Sequence, residues 1–111
     1  MKIVQVDDVA AEAVSHNPEI LKRVLLSGRD LPGSVRLSHA MFAPGQKAAA
    51  HRHKNICEVF YILSGHGLMT IDGAACPLEQ GSCIMIEAGE LHELANTGKT
   101  DLAVIYFGLS R

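Results

Sequence analysis

Apolar and polar positions alternate along this chain in short runs, broken by turn residues at roughly 8 to 12 residue intervals, the rhythm of a sandwich or barrel. The runs Val35 to Phe42, Glu58 to Leu63, Leu68 to Ile71, Cys83 to Ile86 and Leu102 to Phe107 predict strands. Pro44-Gly45, Ser64-Gly65, Gln80-Gly81 and Asn96-Thr97-Gly98 separate them, and Asp72-Gly73 predicts a hairpin turn between Ile71 and Ala74. Leu102 to Phe107 is apolar on both faces, so both faces should be covered. Ahead of these runs, Val9 to Val14 predicts one or two helical turns capped by Asp7 or Asp8, and Ile20 to Leu26 predicts a strand stopped by Ser27-Gly28. The pattern predicts an all-β chain in a single domain, 1-111, with a partly helical leader and first strand over 1-33 and a barrel core over 34-111.

Composition narrows the class of partner. With 111 residues, 48% of them apolar, there is material for one core and not for two. A formal charge of -2 gives no electrostatic case for nucleic acid or an anionic membrane. The opening MKIVQVDDVAAEAV lacks the continuous apolar run of a signal peptide, and the longest such run, Leu102 to Phe107, has only six residues. Three cysteines, Cys57, Cys76 and Cys83, are an odd number without a CxxC pair, which argues against a disulfide framework and for a reducing cytoplasm.

The chemistry concentrates in four residues. His51 and His53, two apart in an extended segment, project to the same side about 7 Å apart, so their imidazoles can share one ion. Glu58 adds a charged oxygen from the next strand, and His92 arrives from a distant hairpin. Three imidazoles and a carboxylate suit one divalent transition metal (Fe, Mn, Ni, Cu or Zn) and suit Ca²⁺ poorly, since that ion takes about six to eight oxygens.

The spacing around these residues is itself a pattern. Gly45, five residues, His51-Arg52-His53, four residues, Glu58, six residues and Gly65 are followed by Gly81, five residues, Glu87-Ala88-Gly89, two residues, His92, three residues and Asn96. This resembles the two-part signature of the cupin superfamily, small single-domain barrels of the antiparallel jelly-roll type. The resemblance covers about residues 45 to 96 and implies that His51, His53, Glu58 and His92 are metal ligands, with Gly45, Gly65, Gly81 and Gly89 at tight turns. Where the family's second motif has Pro, this chain has Glu87, which loosens the turn before His92 without removing a ligand. Glu87 is read either as facing solvent or as a proton acceptor at the barrel mouth, and Glu90 and Glu93 carry the same two readings.

Strand alternation then assigns a pocket. If Glu58 points inward, Phe60 and Ile62 do too. On the preceding strand, Val35, Leu37, His39 and Met41 form the more apolar set and Arg36, Ser38, Ala40 and Phe42 the other. That choice makes Met41 a pocket residue and His39 a catalytic candidate beside Glu87. Cys57 should point away from Glu58, while Cys83 is a candidate for the barrel lining. Arg23, Arg36 and Lys47 are the basic residues available to an anionic substrate. His66 should be exposed, and His16 has no partner that the sequence identifies.

The expected function is a metal-dependent enzyme acting on a small oxygenated molecule such as a sugar acid, keto-sugar or dicarbonyl, by isomerase or lyase chemistry. The resemblance implies two alternatives, an Fe, Ni or Cu dioxygenase and a non-catalytic metal- or metabolite-binding barrel. Apolar Val59, Tyr61 and Leu63 opposite Glu58, with both faces of the last strand, predict a homodimer, with Ile20 to Leu26 as a strand that could join the partner's sheet.

Overall fold

The computed structural model describes residues 1–31 and 33–110, with the side chains of Ser34 and Val35 outside that description. A 3-10 helix (Val6–Asp8) leads into ten strands: β1 (Glu12–Val14), β2 (Asn17–Leu26), β3 (Ser34–Phe42), β4 (Lys47–His51), β5 (Ile56–Ser64), β6 (His66–Ile71), β7 (Ala74–Glu79), β8 (Cys83–Ile86), β9 (His92–Asn96) and β10 (Leu102–Ser110). They form a six-stranded sheet in the order β1-β2-β3-β10-β5-β8 and a four-stranded sheet in the order β4-β9-β6-β7. Every paired strand is antiparallel. The architecture is the all-β barrel expected from the turn rhythm, of the jelly-roll type that the resemblance implies.

Local sequence accounts for the joints. Asp72 and Gly73 both take positive φ, 48° and 85°, in the two-residue turn that registers Ile71 with Ala74, as a type I′ hairpin requires. Gly65, at φ 89°, sits where an added Cβ would lie 2.5 Å from the Asp101 carbonyl oxygen, so only glycine fits this crossing. Asn96 is buried at the end of β9, where its side-chain amide donates to the carbonyls of Phe42 and Thr100, each at 2.9 Å, and its oxygen accepts the Gly98 N–H. One side chain thereby ties β9 to β3 and closes the turn before β10.

The inner faces pack unevenly along the strands. Ile20, Ile62, Leu102 and Val104 from the large sheet meet Met69 and Leu78 from the small one and fill one end of the barrel. One step further along the same strands stand Lys22, Phe60 and Tyr106, and two steps along stands Glu58, and these line a cavity of about 380 Å³. β10 is central, between β3 and β5, and its Leu102, Ala103 and Val104 are covered on both faces.

Three expectations require correction. The leader is partly helical, but its turn is the 3-10 helix at Val6–Asp8, while Glu12–Val14 is extended and pairs with β2, so the expected helix over Val9 to Val14 is absent. β2 lies between β1 and β3, and β1 already pairs with it over Asn17 to Lys22, so the stretch expected to be able to join a partner's sheet, Ile20 to Leu26, narrows to Arg23 to Leu26.

The third correction concerns the facing of β3. Ser38, Ala40 and Phe42 point inward, and His39 and Met41 point outward. Apolarity misleads here because the outer face is apolar as well: Met41 stands in register with Leu21 and Ala103, and His39 with Arg23 and Ile105. Leu37 is half-buried, and the expectation for the Val35 side chain lies outside the described residues.

Candidate metal centre

Three strands and a loop converge at the open end of the barrel. His51 closes β4 and stands in register with His92, the first residue of β9, so the two imidazoles arise from directly opposed positions. His53 follows in the loop after β4 rather than on the strand itself. Glu58 comes from β5 in the other sheet. One donor atom from each of these four residues lies within 4.8 Å of the others.

Hydrogen bonds fix the rings. His51 Nδ1 lies 2.9 Å from the Ala49 carbonyl oxygen and His92 Nδ1 lies 3.0 Å from that of Glu90, each two residues back along its own chain. A ring nitrogen bonded to a carbonyl carries the proton, which leaves Nε2 of His51 with its lone pair toward the cluster, while His92 faces an acceptor on each side and frees Nε2 only when the proton shared with Glu58 leaves. Nε2 of His53 and of His92 lie 3.0 and 3.1 Å from the same carboxylate oxygen, Oε1 of Glu58.

The electrostatics follow from burial and from that shared oxygen. Burial pushes the Glu58 carboxyl up, but the hydrogen bond from His92 and the nearby imidazoles outweigh it, and Glu58 is held below its usual range. Burial pushes His92 down, yet its bonds to Glu58 and the Glu90 carbonyl, with the charges of both carboxylates, carry it above the ordinary histidine value. His51 is lowered, first by burial and then by His92 and His16, against the opposing Ala49 bond. The site therefore pairs an ionised carboxylate with imidazoles of unlike basicity.

The donor set fits a transition ion. Donors each about 2.1 Å from one ion can stand at most about 4.2 Å apart, so small side-chain rotations would close this group around a metal. Three nitrogens and one oxygen are borderline ligands, suited to Fe, Mn, Ni, Cu or Zn. In a five- or six-coordinate ion they would leave room for oxygens of a bound molecule.

Other predicted residues fall on both sides of the cavity wall. Phe60 lines the cavity and stacks on Tyr106, with ring centroids 5.1 Å apart. Ile62 points inward but lies in the packed core, and Met41 and His39 border a shallow outer depression with Leu21 and Arg23. Cys83 is exposed, in register with Tyr61 on the outer face, whereas Cys57 is buried. Glu87 does not line the cavity; its N–H, which a proline would lack, donates to the Glu90 carboxylate at 2.7 Å. The Glu87-to-Glu90 turn is thus closed by a side chain instead of by a ring-fixed φ. Of the basic residues, Arg36 reaches the cavity, Lys47 lies 4.0 Å from Glu93, and Arg23 bonds to the Val9 carbonyl.

Sequence reasoning missed His16, Lys22, Ser38 and Tyr106, all of which line the cavity. His16 stacks on His51 with centroids 3.7 Å apart, and its pKa is lowered by burial first and then by His53. A signal existed only for Lys22, which shares a strand face with Ile20 and Val24. The others depend on the pairing of β1 with β2, β2 with β3 and β3 with β10, which no local pattern encodes.

A jelly-roll barrel with a His₃Glu cluster at its open end defines a class, and the sequence agrees with it. The Cupin_2 cupin domain model matches residues 38–108, and the chain belongs to the cupin family. It is similar to an oxalate-binding protein of Thermotoga maritima, 30% identical over 105 residues that cover 90% of this chain and 87% of the relative. Its fold superimposes on the crystal structure of a predicted oxalate decarboxylase from the same organism with a TM-score of 0.92 at 24% identity, covering 99% of this chain and 100% of the other. A sugar phosphate isomerase of the cupin superfamily from Silicibacter pomeroyi shares the fold with a TM-score of 0.79 at 18% identity, covering 97% and 75% of the two chains.

Proposed function

We propose that this protein is a metal-dependent enzyme of lyase or isomerase type, acting on a small oxygenated molecule such as a sugar acid, keto-sugar or dicarbonyl. The observation that carries this reading is the convergence of His51, His53, Glu58 and His92 on the wall of a cavity of about 380 Å³, a volume suited to a metabolite. When bound, a divalent transition ion supplies Lewis acidity toward a carbonyl or carboxylate oxygen. The chain's own residues do the rest. The carbonyls of Ala49 and Glu90 hold two imidazoles in position, and Phe42, Phe60 and Leu94 present a dry apolar wall. Tyr106, pushed up to about 12 by burial and the Glu58 charge, stays protonated and offers a hydroxyl donor.

A second reading, a barrel that binds such a molecule without turning it over, is supported by the relative described as an oxalate-binding protein. Metal analysis of untagged protein purified without added metal, beside a His51→Ala, His53→Ala variant, tests the common premise. About one equivalent of one transition metal, lost in the variant, is expected. No metal, and none acquired on loading with Fe²⁺, Mn²⁺, Ni²⁺, Cu²⁺ or Zn²⁺, would refute both readings. With metal in place, tight binding of a chelating metabolite without product would decide for the second.

The same reading includes a homodimer formed through the outer face of the six-stranded sheet. Leu21, Met41, Tyr61 and Met85 are large, apolar and exposed there, Met85 at 55% of its surface. Cross-strand pairs Leu21 with Met41, Tyr61 with Ile105 and Val59 with Met85 make them part of one apolar sheet face. A cytoplasmic setting is supported by Cys57, Cys76 and Cys83, all free thiols.

A further inference from the structure

The cavity has two unlike walls. One is the ligand cluster. The other is formed by β1, β2, β3 and β10 and carries Lys22, Arg36, Ser38 and Tyr106. Lys22 points inward from the middle of β2 and is only 7% exposed, yet its ammonium makes no hydrogen bond or ion pair among the described residues. Ser38 Oγ is fully buried, with the Tyr106 hydroxyl as its one polar neighbour and no further partner among the described residues. A lysine whose stem is buried and whose ammonium faces a cavity without a partner is a costly feature that a native fold keeps where a ligand answers it.

The wall is chemically one-sided. Arg36 sits in a β-bulge at φ 52°, beside the register shift between Phe107 and Gly108, and lines the cavity mouth. Its guanidinium lies 3.6 Å from Glu12, the residue in register with Lys22, and among the described residues that exposed carboxylate and Glu58 are the negative charges acting on Lys22. Burial first, and then Arg36, lower the Lys22 pKa, while Glu12 and Glu58 oppose the shift. Tyr106 keeps its proton. Two cations and two hydroxyls facing a cavity call for an anionic oxygen acceptor.

We propose that this wall is a carboxylate-binding subsite centred on Lys22, so that the cavity selects a short oxo-acid carrying a second carboxylate at the end remote from the ligand cluster. Lys22 is three strands from Glu58, about 14 Å across the sheet, and four residues out of its register, and the curvature of the barrel makes both side chains line the same cavity. Only the near end of this ligand rests on the proposed metal centre. The remote end is a property of Lys22, Ser38, Tyr106 and Arg36 alone.

The experiment has a metal-loaded arm and a metal-free arm. Calorimetric titration of Mn²⁺-loaded protein should show 2-oxoglutarate binding about tenfold or more tighter than 2-oxobutanoate, which has the same oxo-acid end and no second carboxylate. That preference should vanish in Lys22→Met and survive in Lys22→Arg, with 2-oxobutanoate affinity and metal content unchanged in both. In metal-free protein, glutarate should shift the NMR signals of Ser38 and Tyr106, and Lys22→Met should abolish the shift. Equal affinity for the two oxo-acids, or glutarate shifts that persist in Lys22→Met, would overturn the subsite. Inorganic phosphate displacing glutarate from these residues at lower concentration would overturn its assignment to carboxylates. If none of Mn²⁺, Fe²⁺, Ni²⁺, Cu²⁺ and Zn²⁺ binds, the metal-centre reading fails and the glutarate arm alone decides this one.

Discussion

Replacing Asn96 by Ala should cost about 3 kcal/mol of folding stability without removing a ligand. The side chain is 3% exposed and makes three hydrogen bonds of 2.9 Å, two as donor to the Phe42 and Thr100 carbonyls and one as acceptor from the Gly98 N–H. Each such bond contributes about 1 kcal/mol net, and partners left buried without water add to the loss, so roughly 2 to 5 kcal/mol is the expected range. For a domain of this size that lowers Tm by about 10 to 20 °C. Asn96→Asp at neutral pH should do no better, because a carboxylate has no proton to offer Phe42 or Thr100. Urea unfolding monitored by circular dichroism, with unchanged m-value, measures the difference. A loss below about 1 kcal/mol in Asn96→Ala would refute the argument that this amide joins β9 to β3.

Three further outcomes follow from the structure. Gly65→Ala, which forces a Cβ to within 2.5 Å of a backbone oxygen at positive φ, should destabilise by about 2 kcal/mol or more, whereas Gly81→Ala, with nothing within 4 Å of the added Cβ, should cost only the conformational strain of about 1 kcal/mol; paired thermal melts compare them. Metal affinity should fall about tenfold per pH unit as pH drops through the raised His92 pKa, because the proton held there by Glu58 must leave before the ring can ligate; calorimetry in buffers of different ionisation enthalpy should show proton release on uptake, and pH-independent affinity in that range would contradict it. Met41→Lys with Met85→Lys should convert a dimer to a monomer by light scattering while leaving metal content unchanged, and a wild-type monomer at micromolar concentration would sink the proposed interface.

The sequence made the joints of this barrel legible because turn chemistry is local: Asp72-Gly73 tolerates the positive φ that a two-residue hairpin needs, and Gly65 marks a crossing that no side chain fits. The four clustered residues were legible for a related reason, since the spacings between them are strand and turn lengths. β4 gave little signal, because Lys47-Ala48-Ala49-Ala50 has no β-branched residue, and it forms by pairing with β9. The facing of β3 was misread because period-two alternation separates two faces without saying which is inside. When Met41 on one face and Phe42 on the other are both apolar, only the pairing partners decide. His16, Ser38 and Tyr106 join the cavity through that same long-range pairing.

The two walls of the cavity also come largely from different parts of the chain. His51, His53, Glu58 and His92 belong to the stretch from Gly45 to Asn96, whereas Lys22, Arg36 and Ser38 belong to strands that precede it, His16 to the turn between β1 and β2, and Tyr106 to the strand that follows. On the proposed reading, the chelating cluster and all of the facing wall except Tyr106 are therefore separable by exchange of a single contiguous segment. Grafting residues 12–40 from another cupin onto this barrel would re-address the cavity to a new molecule and leave the four clustered side chains on their own strands and loop, a modularity that makes the scaffold a practical starting point for engineered specificity.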